Sequence, residues 1–333
     1  MTKKKNEFAA ILRKDKNIVI LVVAFIVVLF LLWQMCGSQF MSSANWESMA
    51  YQIPEFGLLA FGMMLCMITG GIDLSIVSIA TLTSILSATV MNSLIQNGSS
   101  VGAAIAAAVA TAVVVSAICG LINGLIIAKL HILPILVTLA TMIFFQGISM
   151  VITGGAGITG YPEEFLAFGR EKVGGFLPVI FIIVIVIAIL IWFMLEKTKY
   201  GKRLYLYGEN SVVSLFSGIN NDRVIVLTYM VSGILCGLAS IIMMARVNSA
   251  RVGYGDLYQM QAILVCVIGG INPNGGRGKI FGVCIAIILL QMLQSGFNIL
   301  GFEPYIKKLI WGVVLVGVMM LNSVTGRLKE KTR

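Results

Sequence analysis

Long apolar runs alternate along the chain with short polar breaks. Windows of about 20 mostly apolar residues, the length that crosses a bilayer, fall at 17–35, 50–68, 74–94, 101–128, 134–152, 176–195, 224–244, 257–271, 280–298 and 306–322. The pattern predicts an all-α, polytopic transmembrane protein of about ten spans, some of them discontinuous helices. The longest polar interval, Glu196–Arg223, lies between two charge-free runs and holds Lys197, Lys199, Lys202, Arg203 and Arg223. The positive-inside bias places it on the cytoplasmic side. Within it Gly208-Glu209-Asn210 is a turn signal, Ser211–Phe216 reads as one or two helical turns, and Ser217-Gly218 as their end. Such a helix fits either a plain connector or a lever for another protein.

Parity from a cytoplasmic start assigns 37–49, 95–100 and the long 153–175 loop to the outside. It leaves the Lys129–His131 turn, the 196–223 loop and the basic tail inside. The chain thus divides into a cytoplasmic tail at 1–16, one transmembrane domain at 17–322 and a cytoplasmic tail at 323–333. No small-x-small cleavage site follows the first apolar run, which is read as a retained span. The external loop offers Glu163 and Glu164 either as solvated charges or as contacts for a soluble partner.

Two breaks interrupt apolar runs without a real polar loop. In Thr69–Ser75, Gly70 and Gly71 supply backbone freedom and Asp73 is placed to cap the next helix. An aspartate near the bilayer core costs about 2.5–3.5 kcal/mol, so it should face protein or a watery cavity. The phrase Ile268–Gly278, with Gly269 and Gly270, breaks the chain in the same orientation, which echoes a duplication but not an inverted repeat. Asn123, Thr138, Thr141, Gln146, Gln259, Gln261, Gln291, Gln294 and Asn298 recur within spans. Hydrogen bonds between helices explain any one of them, and as a set they fit a route for a neutral, hydroxyl-rich solute.

Composition agrees: 59% of the 333 residues are hydrophobic and 11% charged, with a mean hydropathy of +0.98. The formal charge of +10 sits in three blocks that mark topology and anionic-lipid contact rather than a nucleic-acid face. Six cysteines lie in or beside apolar segments without C-x-x-C spacing and read as small buried hydrophobes. No P-loop is present: Gly275–Lys279 lacks the spacing, and Ile280 stands where Ser or Thr is needed. Gly98–Gly102 fits G-x-S-x-G around Ser100, but the single histidine, His131, lies a whole span away. Ion coupling would rest on Glu55 and Asp73, with no His, Lys or Arg in mid-span. A neutral path without its own energy source points to an energising partner.

Several phrases, in order over roughly residues 50–322, resemble the membrane subunit of ribose- and galactoside-type ABC importers, in the group that includes branched-chain amino-acid permeases. They are Thr69–Ser75, Gly120–Gly124 with Leu133-Pro134 and Thr138-Leu139, Thr153–Gly155, Gly201–Tyr205 with Gly208, Asn210 and Ser217–Ile219, Ser232-Gly233, and Ile268–Gly270 with Gly275–Gly278. The resemblance implies a permease in the bacterial plasma membrane that pairs with a second copy or a related chain. Two cytoplasmic ATPase subunits carrying ATP and Mg, and an external solute-binding protein, would complete it. On this reading Gly208, Glu209, Asn210, Ser217 and Gly218 belong to the ATPase-coupling loop. Gly70, Gly71, Asp73, Ser75, Asn123, Thr138, Gly269 and Gly270 are pathway or helix-break candidates. The chain departs from the family at Ser211–Ser214, Gln259–Leu264 and Ile76–Ser78, as suits half of a heterodimer or a divergent branch. The expected function is import of a sugar or sugar-like neutral solute without catalysis by this chain. An ion-coupled secondary transporter is the alternative.

Overall fold

A computed structural model describes residues 16–175 and 177–331. Among them are thirteen helices: α1 (Lys16–Met41), α2 (Ser43–Ile68), α3 (Ile76–Gln96), α4 (Val101–Leu130), α5 (Pro134–Thr153), α6 (Glu163–Arg170), α7 (Val179–Lys197), α8 (Lys199–Glu209), α9 (Ser211–Phe216), α10 (Asn221–Val247), α11 (Asp256–Ile268), α12 (Ile280–Ile299) and α13 (Pro304–Lys331). Eight of these, α1 to α5, α7, α10 and α12, are long and apolar enough to cross a membrane. The 257–271 window folds as the 13-residue α11, about 20 Å of helix and too short to span alone. The last window belongs to α13, which continues through the basic tail to Lys331. Of the 1–16 tail only Lys16 is described.

Burial runs against hydropathy. The least apolar of the eight spanning helices, α2, is 89% buried over its most apolar stretch, whereas the strongly apolar α1 is only 11% buried. Lipid tails are as apolar as leucine, so helix association in a bilayer rests on close packing and hydrogen bonds rather than on greasiness. Every residue of α2 from Ile53 to Ile68 is buried, Pro54 and Glu55 included. Beside it, α4 turns one stripe inward at four-residue spacing: Ala104, Ala108, Ala112, Ser116, Gly120 and Gly124. A Cβ at Gly124 would lie 2.8 Å from the Val226 backbone, and one at Gly237 would lie 2.7 Å from the Ala112 carbonyl. Small residues thus let α4 and α10 touch backbone to backbone.

Two supposed loops contain helix. Most of 37–49 belongs to α1, which is broken at Gly37, and to the first turns of α2, capped by Ser42 through Asn45 N–H. Within 153–175, Glu163 and Glu164 open α6 and Arg170 closes it, charges that complement the helix dipole. This region forms one end of the bundle, where β1 (Ile158–Thr159) pairs with β4 (Ser249–Ala250) and β2 (Lys172–Val173) with β3 (Leu177–Pro178). Lys172 bonds Glu47 at 2.5 Å there. At the opposite end Lys129 reaches Asp222 at 2.7 Å, and the 69–75 break, the 196–223 loop and the 272–279 turn meet.

Candidate coupling site and helix breaks

The 196–223 loop is a rigid helical hairpin. Thr198 caps α8 through Gly201 N–H at 3.2 Å, and the Tyr200 hydroxyl meets Thr228 Oγ1 at 2.7 Å. Asn210 separates α8 from α9, its Oδ1 accepting from Val212 N–H and Val213 N–H at 3.0 and 3.1 Å. Buried Ser214 donates to Asn221 Oδ1 at 2.7 Å, and Asn221 Nδ2 donates to the Ser211 carbonyl at 2.8 Å. These bonds staple α9 to the start of α10. Ser217 ends the helix and Gly218, at φ 75°, turns the chain, with Ile219 N–H returning to the Ser214 carbonyl. The outer side of α9 exposes Val212, Val213, Leu215 and Phe216, the last at 86%.

Both glycine breaks close their helices in the same way. Gly71 N–H bonds the Cys66 carbonyl and Gly70 N–H that of Met67, while Ile271 N–H bonds Cys266 and Gly270 N–H bonds Val267. Gly70 and Gly270 are left-handed, at φ 81° and 86°. This is the Schellman arrangement repeated residue for residue, and it strengthens the case for a duplication. The two breaks then meet each other and α8. Gly276 N–H donates to the Ile68 carbonyl at 2.9 Å. A Cβ at Gly275 would lie 2.7 Å from Gly208 O and 2.8 Å from Gly70 N, and one at Gly208 would overlap Ile68 O. Arg277 bonds Glu209 and Tyr205 donates to the Gly278 carbonyl at 2.8 Å. The structure therefore brings Gly70, Gly208 and Glu209 into one junction, with Gly71 packed on Tyr229 and Pro134 beside it and Gly269 against Val283. Asn210, Ser217 and Gly218 lie farther along the hairpin.

Asp73 does not cap α3. That helix begins at Ile76 after Ser75, without a side-chain cap, because Asp73 Oδ1 instead accepts from Ser75 N–H and Oγ at 3.0 and 2.6 Å. Asn123 Nδ2 donates to Ser75 Oγ at 2.8 Å, and Thr138 Oγ1 donates to the Ile72 carbonyl at 3.0 Å. Asp73 Oδ2 has only distant donors, Ser232 at 3.4 Å and Cys66 at 3.9 Å. Asp73, Ser75, Asn123 and Thr138 are all fully buried. In this geometry they hold the break in shape.

One cluster escaped the sequence reading. Glu55, fully buried, receives Arg246 through Nε to Oε1 and through Nη2 to Oε2, the latter at 3.0 Å. The Tyr254 and Tyr258 hydroxyls donate to the same Oε2 at 3.1 and 3.0 Å. The supposed lack of a basic partner for Glu55 is thereby corrected: Arg246 lies just beyond the 224–244 window. Next to this pair Gln261, Gln291 and Gln294 line a small cleft of about 40 Å³ with Gln52, Phe56 and Tyr258. Gln291 Nε2 donates to Gln52 Oε1 at 3.1 Å. Three of the five glutamines read within spans thus share a cleft that includes neither Asn123 nor Thr138, while Gln146 and Gln259 do not line it. Ser100 merely caps α4, across whose 30 residues His131 sits at the far end. Among the described residues no three His, Cys, Asp or Glu side chains could hold a metal.

Residues 45–319 match the family described as the permease component of branched-chain amino acid transport systems. The chain is 35% identical to the ribose import permease protein RbsC of Bacillus subtilis, over 89% of each chain. It is 30% identical to the galactose/methyl galactoside import permease protein MglC of Haemophilus influenzae, over 86% of this chain and 88% of that one. The autoinducer 2 import system permease protein LsrD of Yersinia enterocolitica is 30% identical over 81% of this chain and 80% of its own. No solved structure matches. A helical hairpin seated on two matched helix breaks, within a bundle of apolar helices, is the body of a permease, and the chain belongs to this family of transport-system permease components.

Proposed function

We propose that the chain is the transmembrane permease subunit of an ATP-driven importer and forms half of the pathway for a sugar or sugar-like neutral solute. The observation that carries this reading is α9: a short helix stapled to α10, apolar on its outer side, and continuous through α8 with the ends of α2 and α11. A cytoplasmic ATPase subunit, holding ATP and Mg that this chain has no motif to bind, docks on that side. Its closure pushes α9. The push passes through Glu209–Arg277 and the glycine junction into α2 and α11, favouring one of two alternative arrangements of the bundle.

At the other end, α2 and α11 flank the glutamine cleft, whose amides and the Phe56 and Tyr258 rings, 6.0 Å apart, would suit hydroxyls and the apolar face of a sugar once the cleft, about 40 Å³ in this arrangement, opens in the alternative one. The names of the ribose and galactoside relatives support that solute class. A second permease copy or a related chain completes the pathway, and an external solute-binding protein meets the end bearing α6. Both termini and the 196–223 hairpin face the cytoplasm of a bacterium, and the spans sit in its plasma membrane.

Reconstitution with the partner ATPase and binding protein tests the reading. Uptake of labelled neutral sugars should require ATP, and Gly218→Pro, which cannot adopt the left-handed turn, should leave insertion intact while uncoupling hydrolysis from uptake. Accumulation driven by an ion gradient without any ATPase subunit would overturn it in favour of a secondary transporter.

A further inference from the structure

Beside the hairpin lies a cavity of about 400 Å³, within the roughly 300–1,000 Å³ typical of small-ligand sites. Arg203 of α8 and Arg223 of α10 line it with Asn220, Gly218, Val224 and Leu227. Neighbouring cations are neutralised: Lys129 by Asp222 and Arg277 by Glu209. The Arg203 and Arg223 guanidiniums, by contrast, make no side-chain hydrogen bond or ion pair with a described residue. Two unpaired arginines lining one cavity ask for an anion that accepts several N–H bonds at once.

The floor of the cavity says which anion. Leu227 sits one turn along α10 from Arg223, about 6 Å deeper into the span, and is 43% exposed on the flank of the bundle. At the same end Lys197 lies 5.7 Å from the Trp192 ring centroid at the close of α7, the aromatic and basic pairing found where bilayer meets water. The cavity therefore crosses from charged headgroup level into hydrocarbon. A protein carboxylate or a free anion would use only its rim.

We propose that this cavity binds the phosphate of an anionic phospholipid, with Arg203 and Arg223 holding the phosphodiester and the acyl chains descending past Val224 and Leu227. Gly218 forms part of the wall, so the bound lipid braces the turn that ends α9.

The test uses the complete chain in complex with its partner subunits, exchanged from vesicles of phosphatidylglycerol or phosphatidylcholine and weighed intact by native mass spectrometry. Wild type should retain phosphatidylglycerol about tenfold or more over phosphatidylcholine. Arg203→Gln/Arg223→Gln should abolish the preference, Arg203→Lys/Arg223→Lys should restore part of it, and Leu227→Asn should shorten retention. Equal retention by the double glutamine variant overturns the site. Displacement by millimolar inorganic phosphate would mark a free-anion site instead. A preference seen only after the ATPase is removed would assign the arginines to a protein carboxylate.

Discussion

Glu209 and Arg277 meet face to face where α8 crosses the turn after α11, with Nη2 2.8 Å from Oε1 and Nε 3.3 Å from Oε2. Hydrogen bonding to Arg277, and then its charge, hold the Glu209 carboxyl below its ordinary pKa of 4.5. Both side chains are well exposed, so their role is alignment rather than bulk stability.

Glu209→Gln and Arg277→Gln should each leave the unfolding temperature nearly unchanged and lower the solute moved per ATP hydrolysed. The reversed pair Glu209→Arg/Arg277→Glu should recover much of the loss. Because the folded carboxyl has a depressed pKa, its contribution is fully present above pH 4.5 and is lost as pH falls through the lower folded value. Wild-type coupling should therefore be flat from neutral pH down to mild acid. A fall near neutrality would contradict the assignment.

Gly208→Ala introduces a carbon where the Ile68 carbonyl already stands. Overpacking of this kind costs about 1–3 kcal/mol, here by forcing α8 off the end of α2. ATPase activity of the complex should persist while uptake falls about tenfold, equivalent to ~1.4 kcal/mol. Gly218→Ala, with open space around its Cβ but a left-handed φ, should cost less.

Removing one member of the Glu55–Arg246 pair strands a buried charge, with a loss of about 3–5 kcal/mol. Glu55→Met should lower thermal stability in detergent strongly. The double variant Glu55→Met/Arg246→Met should be more stable than Glu55→Met alone, a coupling that a double-mutant cycle reads directly.

Asp73→Asn retains the oxygen that accepts from Ser75 and disturbs only the weakly bonded Oδ2. It should preserve folding and uptake. Asp73→Ala leaves two Ser75 donors unpaired in a buried site, at about 1–3 kcal/mol each. Loss of uptake by a stable Asp73→Asn protein would instead mark a titrating role.

Gln261→Met conserves volume while deleting an amide from the cleft beside Tyr258. Uptake of a polyhydroxylated sugar should fall severalfold while ATPase activity and unfolding temperature hold. Unchanged uptake would remove the cleft from the pathway.

The breaks at Gly70 and Gly270 were legible because a helix running into paired glycines stops for local reasons, and the α9 helix announced itself through Asn210 and Gly218. What joins them was not. Gly208 touches Ile68 and Gly275 through backbone atoms, and such main-chain contact demands glycine at each segment without indicating which distant segments meet. Glu55 and Arg246 are 191 positions apart, and each looked solitary because Arg246 falls at a helix end. Asp73 lies two residues before the cap position, Ser75, and bonds that residue, since an aspartate before a helix can bond its own loop as readily as the first free N–H groups. The inward stripe of α4, from Ala104 to Gly124, was not singled out, because small residues such as Ala103, Ala106 and Ala110 also occupy the exposed faces of that helix.

The joint at Gly70, Gly208 and Gly275 is assembled from peptide groups, and the cleft proposed for solute lies at the far end of the same helices. On that proposal, a transporter of this build can exchange its cargo by drift in amides and rings while its transmission stays as it was, which leaves wide evolutionary latitude at one end and almost none at the other.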